Sequence, residues 1–248
     1  MPRYFLEVAY RGDSFSGFQV QDNVCTVQSE VEQAFRIFFR KEVALTGSSR
    51  TDAGVHALQN YFHFDWDQPF DTRQLYNLNS IINRSIVLKS IQEVPAGAHC
   101  RFHAVQRQYR YNISRSRNPF KADVSWYFPY QVHTDLLDQM AILVRENKNF
   151  IAFSKRHTQV KTFDCQIYHS RWVVTADELQ YEVAGNRFLR GMVRGLVSSM
   201  LRLARKGGQV DEFAALLSSP RQAAADFAAP AHGLFLERVV FPPGLLSS

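Results

Sequence analysis

The chain has 248 residues, of which 46% are hydrophobic and 21% charged, enough for a sizeable core and too few charges for wholesale disorder. Lysine and arginine number 29 against 23 aspartates and glutamates, and the net charge of +6 favours an anionic partner. Cys25, Cys100 and Cys165 are odd in number and lack C-x-x-C spacing, against a disulfide framework or a structural zinc site, and no apolar run is long enough to span a bilayer; a cytoplasmic protein is expected.

Residues Tyr4 to Tyr10 alternate Tyr4, Leu6, Val8 and Tyr10 against Glu7 and Ala9, which predicts a strand. Thr26 is placed to cap a helix with Val27, Val31, Ala34, Phe35 and Phe38 on one face. Gly47 then precedes, and Gly54 lies within, a tight loop, Ser48 to Ala57, holding Arg50, Asp52 and His56. A strand from Asn60 to Asp65, a short helix over Leu75, Leu78, Ile81 and Ile82, and a strand from Ile86 to Val94 follow, and the chain pauses at Pro95-Ala96-Gly97. Beyond it we expect strands near Gln106–Ser114 and Val124–Tyr130, and a helix capped by Thr134. A hairpin turns at Ala176-Asp177-Glu178. A long helix then runs from about Arg187 to Lys206 and stops at Gly207-Gly208, followed by Ala-rich helical sequence and a last strand from Leu234 to Phe241. The elements divide into halves at 1–97 and 98–248, each compatible with a β-α-β-β-α-β-like unit.

Two stretches carry cations and no acids. Val94 to Ala122 holds Arg101, Arg107, Arg110, Arg115, Arg117 and Lys121; Val183 to Val210 holds Arg187, Arg190, Arg194, Arg202, Arg205 and Lys206. Arginine-rich stretches of one sign fit a phosphate-binding surface as well as a solvated face. There is no P-loop, no dinucleotide fingerprint, no H-E-x-x-H and no G-x-S-x-G. His99 and His103, four residues apart around Cys100, lack a third ligand in sequence. No metal and no cofactor is expected. In the Arg50-Thr51-Asp52 run a carboxylate beside a guanidinium stays ionised, as a nucleophile requires, although an ordinary salt-bridged turn has the same composition.

The run Arg50-Thr51-Asp52-Ala53-Gly54-Val55-His56-Ala57 matches a known signature, and other blocks match in order. They are Tyr10-Arg11-Gly12 with Phe15, Gly17, Phe18, Gln19 and Gln21; Thr26-Val27-Gln28; Arg107-Gln108-Tyr109-Arg110-Tyr111; and Phe188-Leu189 with Met192-Val193-Arg194. On these residues the chain resembles the tRNA pseudouridine synthase A family. The resemblance implies an α+β fold of two sandwich-like halves, with mainly antiparallel sheets joined across a catalytic cleft. The first half would carry the Asp loop, the second the Tyr and Arg motifs. It implies conversion of uridine to pseudouridine on the 3′ side of the anticodon stem-loop, a tRNA partner, a homodimer and no cofactor.

Residue by residue, the resemblance makes Asp52 the nucleophile, Tyr109 the tyrosine that stacks on the uracil and Arg194 the partner of the aspartate. Arg50, Thr51, His56, Arg107, Arg110 and Arg190 would bind substrate, with Arg50 filling the space left by a flipped base or guiding its extrusion, and His56 also able to orient the loop. Attack at the ribose, attack at the base and a glycal route all remain open. Ser49, Phe18, the Asn79–Arg84 segment, Asn149 and Arg190 depart from the family pattern, yet none removes a catalytic group. The presence of Asp52, Tyr109 and Arg194 together favours an active enzyme over a silent RNA binder, and the basic stretches and tyrosine motif speak against an unrelated hydrolase that uses Asp52.

Overall fold

The computed structural model describes residues 1–156 and 160–246. Two compact units form: Met1–Val105 together with the C-terminal segment from Phe235, and Gln106–Leu234. Each contains helices and a mainly antiparallel sheet, giving an α+β fold.

In the first unit β1 (Arg3–Tyr10) lies between β3 (His56–Asp65) and β4 (Ile86–Val94), antiparallel to both. The short β2 (Thr46–Gly47) pairs with β3. Helices α1 (Val27–Phe39) and α2 (Gln74–Ile81) complete the order β1-α1-β2-β3-α2-β4. Helix α1 starts where Thr26 places it: its hydroxyl accepts the Ser29 N–H at 3.1 Å while the Ser29 hydroxyl accepts the Thr26 N–H at 3.0 Å. Its buried face, Val27, Val31, Ala34 and Phe35, meets an aromatic cluster of Phe64, Trp66 and Phe70. Full burial of one such side chain is worth about 1.5–3 kcal/mol.

The chain does not divide at Gly97. Pro95–Gly97 is only a turn, and the segment after it stays on the first unit. The Arg3 guanidinium donates to the Ala98 carbonyl at 3.0 Å, and the Val105 N–H donates to the Val240 carbonyl at 2.8 Å. The last strand, β9 (Leu234–Val240), runs parallel to the start of β3, with His56 opposite Phe235 and Ala57 opposite Leu236.

In the second unit β5 (Gln106–Ser114) pairs antiparallel with β8 (Glu178–Gly185), which pairs with β7 (Ile167–Val174). The strand expected over Val124–Tyr130 shrinks to β6 (Trp126–Tyr127), since Pro129 offers no N–H to a ladder. Helix α3 (Thr134–Glu146) packs on β7; His133 is its N-cap, and Thr134 is its first helical residue. Helix α4 begins at Met192 rather than Arg187 and ends at Lys206. Gly191, at φ +76°, takes a left-handed conformation that an α-helix cannot contain. Helix α5 (Val210–Leu217) follows, but the Ala-rich stretch after it is irregular, with Ala223 at φ 57° and prolines at 220 and 230.

Candidate active site

The loop between β2 and β3 is held from several sides. Asn60, fully buried on β3, donates to the Ser49 carbonyl at 2.8 Å and accepts the Ser49 N–H at 3.2 Å. The Ser48 N–H donates to the Tyr61 carbonyl at 2.8 Å. The Thr51 carbonyl accepts the Phe18 N–H, and Thr51 Oγ1 lies 2.8 Å from the Tyr10 hydroxyl. After Asp52 the chain turns tightly: the Val55 N–H donates to the Asp52 carbonyl at 3.2 Å, and Gly54 sits at φ +78°. Two further glycines allow close approach. A Cβ at Gly12 would stand 2.1 Å from the Val55 oxygen, and one at Gly17 would stand 3.2 Å from the Thr51 oxygen. Asp52 is half-buried on this fixed turn, and Arg50 is exposed.

His56 is only 1% exposed. Its Nδ1 accepts the Gly12 N–H at 3.1 Å, which leaves the proton of the neutral ring on Nε2. The ring stacks on Phe235 with centroids 4.6 Å apart. Buried and engaged this way, His56 ties the end of the Asp loop to the Gly12 turn and to Phe235. Thr51, also buried, likewise spends its hydroxyl on Tyr10.

In the second unit β5 presents Arg107, Tyr109 and Arg110, all half-buried. Arg107 donates to the Asn186 carbonyl at 2.9 Å, and Tyr109 meets Phe188 edge-to-face at 5.1 Å. Tyr111 points into the core, and its hydroxyl donates to the Pro230 carbonyl at 2.7 Å. Burial pushes that phenol far above its ordinary range, against the opposing pull of the Arg194 charge. Arg194, in the first turn of α4, is half-buried, and its Nε donates to the Ala229 carbonyl at 2.7 Å. Arg190 is exposed just before Gly191.

A protein of Porphyromonas gingivalis named tRNA pseudouridine synthase A is 36% identical over 250 residues, which cover 99% of this chain and 99% of the relative. The chain belongs to the tRNA pseudouridine synthase A family. Proteins of the same name from Parabacteroides distasonis (34% identical, 99% of this chain and 98% of the relative) and Staphylococcus aureus strain MRSA252 (34% identical, 96% of this chain and 91% of the relative) agree with the assignment. Residues 147–242 match the family described as tRNA pseudouridine synthase.

Two departures from the pattern of the synthase A family have a visible setting. Phe18, where tryptophan is usual, is buried and stacks on Phe62 at 4.5 Å. Its ring fills the space over Gly47, where a Cβ would stand 2.3 Å from it. Asn149 bonds the Asp164 carboxylate at 2.9 Å and forms a bridge to it. No helix among the described residues is long and apolar enough to cross a membrane.

In sequence His99 pairs with His103. The structure instead gathers His63, His99 and Cys100, with ligand-type atoms all within 4.8 Å of one another. Imidazole and thiol suit a soft ion. These groups are already engaged: the Cys100 thiol donates to the Thr46 carbonyl at 3.1 Å and lies 3.2 Å from His63 Nδ1, and His99 Nδ1 accepts the Arg101 N–H at 3.2 Å. Binding an ion would displace those bonds. Also missed in sequence were the supports of the Asp loop, namely Asn60, Gly12 and Phe235; only Gly12 lay within a recognised motif.

Proposed function

We propose that this chain isomerises uridine to pseudouridine in the anticodon stem-loop of tRNA, with Asp52 as nucleophile and the target base flipped out of the stem. The observation that carries the reading is full-length similarity to relatives named tRNA pseudouridine synthase A, together with a half-buried carboxylate on a loop pinned by Asn60, Tyr10, Gly12 and His56.

The reaction breaks the bond from uracil N1 to ribose C1′ and makes one from C5 to C1′. The C5 proton leaves and N1 gains one, so atoms balance without a redox step. In this reading Asp52 attacks and its transient bond to the substrate is broken again before product leaves, Tyr109 stacks on the uracil and assists loss of the C5 proton, and Arg194 keeps the reacting carboxylate ionised. The bond from Arg194 Nε to the Ala229 carbonyl supports a fixed guanidinium with its two terminal nitrogens left to point elsewhere. Arg50 takes the place of the extruded base or guides its extrusion. Flipping costs a few kcal/mol, which phosphate contacts from Arg107, Arg110 and Arg190 offset. A cytoplasmic location and a homodimer belong to the same proposal, and sedimentation reads the dimer.

Purified protein should form pseudouridine in an unmodified tRNA transcript with no metal or nucleotide added. Asp52→Ala should abolish turnover and keep most tRNA affinity; a fully active variant would sink the assignment. Position-resolved mapping of pseudouridine in total tRNA, with and without the protein, names the target positions.

A further inference from the structure

A second feature of the first unit lies outside the proposed catalytic set. Phe102 is 73% exposed, yet its ring is not loose. It packs on His99 with centroids 4.2 Å apart, His99 on His63 at 4.4 Å, His63 on Phe5 at 6.2 Å, and Phe5 on Phe241 at 5.2 Å. A file of rings thus runs from the core to the surface and ends in an aromatic face. The backbone beneath it is closed on itself: the His99 N–H donates to His103 Nδ1 at 3.2 Å, and the His103 N–H donates to the His99 carbonyl at 3.0 Å.

Beside this face opens a cavity of about 290 Å³. Arg50 and Arg101 both line it with Phe102 and Gln19, and no carboxylate is among the described residues of its wall. The Arg101 guanidinium stands 5.9 Å from the Phe102 ring centre. The volume is at the small end of ligand pockets, suited to one ring system rather than a helix. A pinned aromatic flanked by cations is the standard means of holding an unpaired nucleotide: the base stacks, and the phosphate meets the arginines. A side chain already ordered loses little further freedom on binding.

We propose that Phe102, Arg101 and Arg50 form a subsite for one unpaired nucleotide of the RNA substrate, adjacent in sequence to the base presented to Asp52. Arg50 belongs both to this cavity and to the Asp loop, two residues from the carboxylate, so a nucleotide seated here fixes the register of its neighbour. This inference rests on the proposed function.

The test measures Kd, KM and kcat on one tRNA transcript. Phe102→Ala should raise Kd and KM by about five- to a hundred-fold with kcat within about twofold, and Phe102→Trp should restore them. Arg101→Gln should reduce the slope of log Kd against log salt by about one. An abasic nucleotide scanned through the anticodon loop should reproduce the Phe102→Ala loss at one position, and there the two changes should not add. The Phe102 ring is mostly in solvent, so the fold survives its loss, which circular dichroism verifies. Unchanged Kd and KM in Phe102→Ala, or additive losses at every abasic position, overturn the subsite. If the wild-type protein forms no pseudouridine, the functional reading fails, while Kd and the abasic scan still report on the subsite.

Discussion

The Tyr10 hydroxyl lies 2.8 Å from Thr51 Oγ1, and the Asn60 amide donates to the same Tyr10 oxygen at 3.2 Å. This buried triangle ties β1 and β3 to the residue immediately before Asp52. Tyr10→Phe removes its centre without changing the packing. It should cost about 1 kcal/mol in urea unfolding and lower kcat by up to ~100-fold, because small displacements of a reacting group are costly. KM should hardly move. A kcat equal to wild type would show that the triangle does not position the carboxylate.

The contact between Gly12 and Val55 makes a harsher test. A Cβ at Gly12 would lie 2.1 Å from a backbone oxygen, and neither strand nor loop has a flexible side chain there to give way. Gly12→Ala should destabilise by about 3 kcal/mol, at the upper end of overpacking costs. Gly97→Ala, where nothing lies within 4 Å, should leave the urea midpoint unchanged.

For Arg194 the informative change keeps the charge. Lysine cannot hold the Ala229 carbonyl through a secondary nitrogen while aiming two more donors outward. Arg194→Lys should lose at least ~10-fold in single-turnover rate with little change in thermal midpoint. Equal rates would mean that charge alone suffices at this position.

Burial lowers the His63 pKa from 6.5 to about 4, helped by the nearby charges of His99 and Arg3. The unfolded ring takes up its proton at higher pH than the folded one. Stability from this group is therefore full above about pH 6.5 and declines as pH falls toward 4. Each pH unit between those two values removes about 1.4 kcal/mol, so the loss by pH 4 is on the order of 3 kcal/mol. Unfolding midpoints of wild type and His63→Gln, compared at pH 7 and pH 5, should show a smaller drop in the variant.

How much of the molecule is legible in its sequence depends on range. The alternation of β1 and the capping pair Thr26 and Ser29 depend on neighbours in sequence, and both appear where local rules put them. Helix α4 starts late because the backbone of one glycine overrides an apolar period that extends back to Phe188. The residues around Asp52 carry their identity through a motif, but not their rigidity. That comes from Asn60, Gly12 and Phe235, two of which belong to other strands or turns distant in the chain. The His63, His99 and Cys100 group is invisible for the same reason: its third member is on β3.

The partnership of His56 with Phe235 has a consequence for biosynthesis. Between the two lies the whole second unit, Gln106–Leu234. At ~5–20 residues per second a ribosome needs roughly 6–26 s to pass through it. Throughout that interval the Asp52 loop has been made but lacks the ring its anchor histidine stacks on. The nascent chain therefore emerges with the Asp52 loop lacking this support, and the contact can form only after Phe235 has left the ribosome.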